Sequence, residues 1–257
     1  MNIAEVEIYK LFLLVLVRFS GLMVTAPVLG SNSIPMRVRV GLAALTAMVV
    51  TPALPQLSFE IPDGPLGFGV LAIGEFLIGL IIGFVVSLVF SAIQVGGQIM
   101  DMQSGFALMN VFNPAVETQF PIFGFFLFIL AVLVLLVTGG HRLMLWALYQ
   151  TYAHVEIGGF VARPELLWEV SRWGRDMFID GVMIAAPVGT AMLMAYLVMG
   201  LIGRVVPQIH LFVVGFPVTI GMALMLTALT LGAFLAVLDG MFYRAFEKVE
   251  TLVYGLG

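Results

Sequence analysis

The sequence predicts an all-α, polytopic membrane protein with about six kinked hydrophobic helical segments, and three observations carry that prediction. The 257 residues are 61% hydrophobic and only 10% charged, with a mean hydropathy of +1.13. Soluble domains carry about 25% charged residues, so this composition is too poor in charge to face water on all sides. Residues 19–36, 40–59, 76–100, 118–140, 181–203 and 205–238 contain no Lys, Arg, Asp or Glu. A spanning helix needs about 20 apolar residues, which most of these runs supply. Finally, the runs are continuous rather than alternating, unlike the strands of a membrane barrel. A helix also satisfies its own backbone groups in lipid.

The hydrophobic segments fall near 8–30, 38–55, 70–98, 122–138, 178–203 and 211–240. The first follows Glu5 and Glu7 as well as Lys10, not a basic leader region, and is expected to be retained rather than cleaved. Pro55, Pro62, Asp63, Gly64 and Pro65 make the next long connection a turn-rich surface loop. The 139–177 connection is the most polar stretch, with His141 expected to begin a helix after Gly139-Gly140. Within it, Pro164–Arg175 reads as an amphipathic interfacial helix carrying Trp168 and Trp173. The tail from Tyr243 to Glu250 mixes Arg244, Glu247, Lys248 and Glu250 and reads as a solvated helix end.

Orientation is undecided by charge. Arg37, Arg39 and Arg204 place odd-numbered connections in the cytoplasm, whereas Arg142, Arg163, Arg172 and Arg175 argue the opposite. Bent hairpins among the segments would produce such a draw. Pro27, Pro52, Pro187 and Pro217 lie within or close to apolar segments, and proline removes a helical hydrogen bond. Kinked, glycine-rich spans suit a subunit packed into an assembly. Gly79 and Gly83 form a GxxxG pair that fits internal packing and a subunit contact equally.

Few residues offer chemistry. The absence of cysteine excludes disulfides, thiolate metal sites and cysteine nucleophiles. His141, His154 and His210 lack metal-ligand spacing, and no phosphate-loop, nucleophile-elbow or HExxH motif is present. Net charge is −4 without a basic run, which argues against nucleic acid. No catalytic, cofactor-binding or metal-ligating residue is therefore expected. Glu75, at the head of a long uncharged run, reads as a proton-coupling site or, preferentially, as a structural partner of Arg18. Asp101 and Glu117 flank the uncharged 102–116 stretch and read as solvated loop ends.

The most unusual segment is 94–121. It starts as a helix bearing Gln94, Gln98, Asp101 and Gln103, then becomes apolar and irregular up to Asn113-Pro114. Phe106, Met109 and Phe112 suit either a hydrophobic constriction that gates by dewetting or a core-packing loop.

Several stretches, taken in order, resemble the FliR family of flagellar export-gate proteins, whose virulence-secretion counterparts are the SctT proteins. Ile34-Pro35-Met36-Arg37-Val38-Arg39-Val40-Gly41-Leu42 resembles the family's IP-basic-V-basic-x-GL stretch. Gly74-Glu75 with Gly79 and Gly83 resembles its GE-xxx-G-xxx-G helix, and Gly97 to Gly105 its G-xxx-D-x-Q-x-G segment. Pro207-Gln208 followed by Val214-Gly215-Phe216-Pro217 resembles its PQ…GFP signature. Asn113 replaces the family's acid before proline, and His210 stands where asparagine is common.

The resemblance implies a FliP-like N-terminal part, residues 1–177, and a FliQ-like C-terminal hairpin and tail, residues 178–257. It implies one copy in a helical gate with FliP-like, FliQ-like and FlhB-like subunits in the bacterial inner membrane, at the flagellar basal body. Unfolded flagellar proteins would pass through that gate. A plug loop maps to about 106–120, with Phe106, Met109, Phe112, Asn113 and Pro114 at the constriction. Packing or assembly roles fall to Arg18, Glu75, Gly79, Gly83, Pro207, Gln208, Gly215 and Pro217. A virulence-type export gate is the alternative. A secondary transporter is a weaker one, since no internal repeat accompanies the breakers.

Overall fold

A computed structural model of the chain describes residues 3–31, 33–54, 61–62, 64–107, 121–161, 164–206 and 211–255. Among them are seven α-helices: α1 (Ile3–Thr25), α2 (Met36–Val50), α3 (Pro65–Ser104), α4 (Ile122–Val137), α5 (Gly140–His154), α6 (Pro164–Val205) and α7 (Leu211–Gly255). A 3-10 turn, Thr51–Ala53, follows α2. No strand occurs among the described residues. Five helices are long and apolar enough to cross a membrane, and the bent pair α4–α5 makes a sixth span if counted as one. The all-α polytopic expectation therefore stands.

Segment ends differ from the expectation in both directions: α1 and α2 stop at Thr25 and Val50, short of 30 and 55, whereas the three longest helices run further than the apolar runs. α3, α6 and α7 reach 40, 42 and 45 residues. Pro164–Arg175 is not a separate interfacial helix but the first turns of α6, begun by a proline whose missing N–H costs nothing there. Of its two tryptophans, Trp168 is exposed and Trp173 buried. Helical structure continues through Pro187 and Pro217. The break between α4 and α5 falls instead at Gly139, whose φ of 74° is left-handed and suits glycine.

The chain forms two compact units. One comprises Met1–Leu88, Val134–Val170 and Phe242–Gly257. Its core includes Leu14, Val15, Phe19, Leu22 and Met23 of α1, a stripe at helical spacing, with Ile78, Ile82, Val85 and Val86 of α3. α1 and α3 touch backbone to backbone. A Cβ at Gly79 would collide with the Arg18 carbonyl, one at Gly83 with the Thr25 hydroxyl, and one at Gly21 with the Phe76 carbonyl. Thr25 Oγ1 donates to the Leu80 carbonyl at 2.9 Å across the same crossing. The GxxxG pair thus serves a close contact inside the chain. The end of α7 belongs to this unit too. It is not solvated all round, since Phe242, Ala245, Val249 and Leu252 are buried along one face.

The other unit comprises Val89–Leu133 and Ser171–Met241. Gly97 of α3 lies against Gly124 of α4, and Gly96 against the Gly181 carbonyl of α6. Ile93, Met100, Phe123, Leu127, Ala185, Val188 and Met192 fill the core around these approaches. Much of α6 and α7 carries outward apolar side chains, among them Met183, Leu197, Leu201, Met225 and Leu229.

Candidate functional site

Two polar clusters stand out in an otherwise apolar molecule, one in each unit. In the first, Arg18 of α1 and Glu75 of α3 are both fully buried. Arg18 Nε donates to Glu75 Oε2 at 2.5 Å, and Nη1 donates to Thr151 Oγ1 of α5 at 2.7 Å. The guanidinium carbon lies 4.0 Å from the centre of the Tyr152 ring, a cation–π contact. Glu75 Oε1 accepts the backbone N–H of Gly158 at 2.9 Å. Both carboxylate oxygens are therefore engaged, as a buried charge requires. Chemically, this is a knot linking three helices and a turn, in which the carboxylate is fully engaged while Arg18 Nη2 and the Tyr152 hydroxyl are buried without a hydrogen-bond partner. The pairing of Arg18 with Glu75 suits the preferred sequence reading. Thr151, Tyr152 and Gly158 gave no sequence signal, because a threonine, a tyrosine and a glycine in a polar connection are unremarkable alone.

The second cluster sits at the root of the 106–120 segment. Asp101 is 4% exposed, which corrects the expectation of a solvated loop end. Its Oδ1 accepts the Phe123 amide at 3.1 Å and its Oδ2 the Gly124 amide at 3.3 Å. The first N–H groups of a helix lack internal partners and favour negative charge. Asp101 meets both needs for α4 from the last turns of α3. Glu117, its supposed counterpart, lies outside the described residues.

The last carbonyls of α3 are likewise claimed. Tyr196 of α6 donates its hydroxyl to the Gln103 carbonyl at 2.6 Å, and Thr219 of α7 donates to the Ser104 carbonyl at 2.9 Å. Gly105 then turns the chain with φ 92° against the Phe216 ring, where a Cβ would come within 2.9 Å of the ring. Phe106 follows, half-buried, its ring edge-to-face with Phe123 at 5.6 Å. The segment thus leaves α3 and enters α4 at two points tied by one carboxylate and two hydroxyls.

The remaining expected site residues divide in two. Gly215 is buried within α7, with Met199 Sδ 3.4 Å from where a Cβ would sit, and Pro217 is exposed on the same helix. Met109, Phe112, Asn113, Pro114, Pro207 and Gln208 lie outside the described residues. Tyr196 and Thr219 were missed because a lone hydroxyl on an apolar helix carries no hint of the carbonyl it will meet.

Comparison with known proteins follows the same lines. The family model described as Bacterial export proteins, family 1, matches residues 9–245. A protein named Flagellar biosynthetic protein FliR from Escherichia coli (strain K12) is 29% identical over 93% of this chain and 90% of its own length. One of the same name from Bacillus subtilis (strain 168) is 27% identical over 98% of each. A third, from Pectobacterium carotovorum subsp. carotovorum, is 33% identical over 92% of this chain and 88% of its own length. With its apolar helices, closely packed glycines and matched length, the chain belongs to family 1 of the bacterial export proteins, the FliR family, and is a multi-pass membrane component of type III export.

Proposed function

We propose that this chain is one subunit of a flagellar protein-export gate in the bacterial inner membrane, at the flagellar basal body, and that its 106–120 segment plugs the channel through which unfolded flagellar proteins pass. The observation that carries the plug reading is the fixed root of that segment. A constriction that opens and recloses needs hinges that hold their place, and Asp101, Tyr196 and Thr219 hold both ends of this one. The apolar residues Phe106, Met109 and Phe112 then supply a barrier that excludes water and ions. Asn113 and Pro114 end the irregular stretch and disfavour helix there.

The flagellar system, rather than a virulence-type one, is supported by the names of the matched relatives. FliP-like, FliQ-like and FlhB-like chains are the proposed neighbours, and the outward apolar faces of α6 and α7 offer them contact area. Residues 1–177 would pack as the FliP-like part and 178–257 as the FliQ-like hairpin. Arg18, Glu75, Gly79 and Gly83 would keep the first part rigid, while Pro207, Gln208, Gly215 and Pro217 would shape the second.

The test is deletion of 106–120 in a flagellated strain relying on this chain. Assembly of the gate with a new leak of small ions is the expected result. Normal assembly and export without any leak would defeat the plug assignment. Loss of the whole complex would assign the loop to assembly instead.

A further inference from the structure

The first unit carries a groove that the export reading does not use. It has a volume of about 310 Å³ and lies between one face of α5 and the last turns of α7. Leu143 and Trp146 form one wall, Tyr243 and Phe246 the other, and Glu247 and Glu250 stand among them. No lysine or arginine lines it. His154 also borders it, with Nδ1 at 3.2 Å from the Gln150 carbonyl. Val249 is buried at its floor, whereas Trp146 and Tyr243 are 58% and 73% exposed.

Large aromatic faces beside carboxylates make a recognisable chemistry. The ring quadrupole attracts a cation, and the carboxylates take its N–H donors. Arginine and lysine also bring an apolar stem that lies along hydrophobic walls. The volume admits a side chain or two with some backbone, not a folded domain. Its walls are helical, so the lining is held in place before anything binds. A zwitterionic lipid headgroup fits less well, because the phosphate next to its ammonium would face the same two carboxylates.

We propose that this groove docks a segment of another protein chain that presents an arginine or lysine flanked by apolar residues, with the cation at Glu247 and Glu250 and the stem along Leu143 and Trp146. The complementarity is of charge as well as shape: two carboxylates, with no lysine or arginine, stand in a lining made mostly of aromatic and aliphatic side chains.

The full chain, in its export complex in lipid nanodiscs, is titrated with a labelled pentapeptide, acetyl-Ala-Leu-Arg-Leu-Ala-amide, and with its citrulline analogue, read by fluorescence anisotropy. The arginine peptide is expected to bind about tenfold or more tightly than the citrulline peptide, and that preference to vanish in the Glu247→Gln/Glu250→Gln double variant. Both glutamates are exposed, so the variant keeps its core. Trp146→Ala should weaken binding of both peptides. Equal binding of the two peptides, or none by the wild-type complex, overturns the proposal. So does displacement of the peptide by phosphatidylethanolamine but not phosphatidylglycerol in the disc, which would make an aminolipid the occupant.

Discussion

Asp101 Oδ1 lies 3.1 Å from the amide nitrogen of Phe123, 22 residues further along the chain, so the residue near the end of one helix caps the start of the next. One carboxylate thereby ties the end of α3 to the start of α4. A helix N-cap usually stands immediately before its helix; here it comes from the preceding helix. That placement couples the end of α3 to the stability of α4.

Removing this cap should therefore loosen both. Asp101→Ala leaves two buried amides without an acceptor, a loss of about 1–3 kcal/mol. Asp101→Asn keeps one acceptor oxygen and should fall between wild type and alanine. Thermal unfolding of the purified complex would rank the three, with swarm diameter following the same order. Equal stability of the alanine variant would mean that the cap contributes nothing to holding the loop root.

The hydroxyl clamps separate holding from folding. Tyr196→Phe and Thr219→Val each remove one donor to a carbonyl at the end of α3, at about 0.5–1.5 kcal/mol. That cost should spare assembly. If the root holds the plug in place, the double variant should assemble normally and still leak ions in a conductance assay. A tight gate in that variant would leave Asp101 as the only anchor of consequence.

Arg18 and Glu75 should behave as a pair rather than as two independent residues. Glu75→Gln strands a buried guanidinium, a loss of about 3–5 kcal/mol. Replacing both, as Arg18→Met with Glu75→Leu, removes the stranded charge and should recover much of the loss. A double-mutant cycle on unfolding midpoints measures the coupling. Export that fails in the stable double variant would revive a proton-coupling role for Glu75.

The α1–α3 crossing predicts a contrast among glycines. Gly79→Ala places a methyl group against the Arg18 backbone, so the helices must part, at about 1–3 kcal/mol. Gly221→Ala meets open space within α7 and should be neutral or stabilising by about 0.5–1 kcal/mol. Expression level and melting temperature of the two variants, compared side by side, test it. Equal effects would remove the close approach as the reason for glycine at 79.

How far each feature was legible depended on the range of the interaction behind it. Hydropathy gave the class and roughly the number of spans, because a membrane helix satisfies its backbone internally and needs only its own residues to be apolar. The buried partner for Glu75 was also foreseeable, since an isolated charge in an apolar run demands an opposite one and Arg18 was close at hand in composition. Pro164–Arg175 was read as a helix of its own rather than as the start of α6, because polar residues on one face do not stop a helix whose other face is buried. Asp101 was misread outright. Its neighbours in sequence look like a loop margin, and only the arrival of Phe123 and Gly124 turns its carboxylate inward.

By itself, then, the sequence determined a helical membrane protein, the order of its spans and its family, all set by local composition and short ordered motifs. The tertiary structure alone decided which face Gly79 and Gly83 serve, which amides Asp101 caps, and that Tyr196 and Thr219 claim the last carbonyls of α3. These depend on groups tens of residues apart meeting within hydrogen-bond distance. One-dimensional spacing carries no record of such meetings, because they are settled by how helices cross.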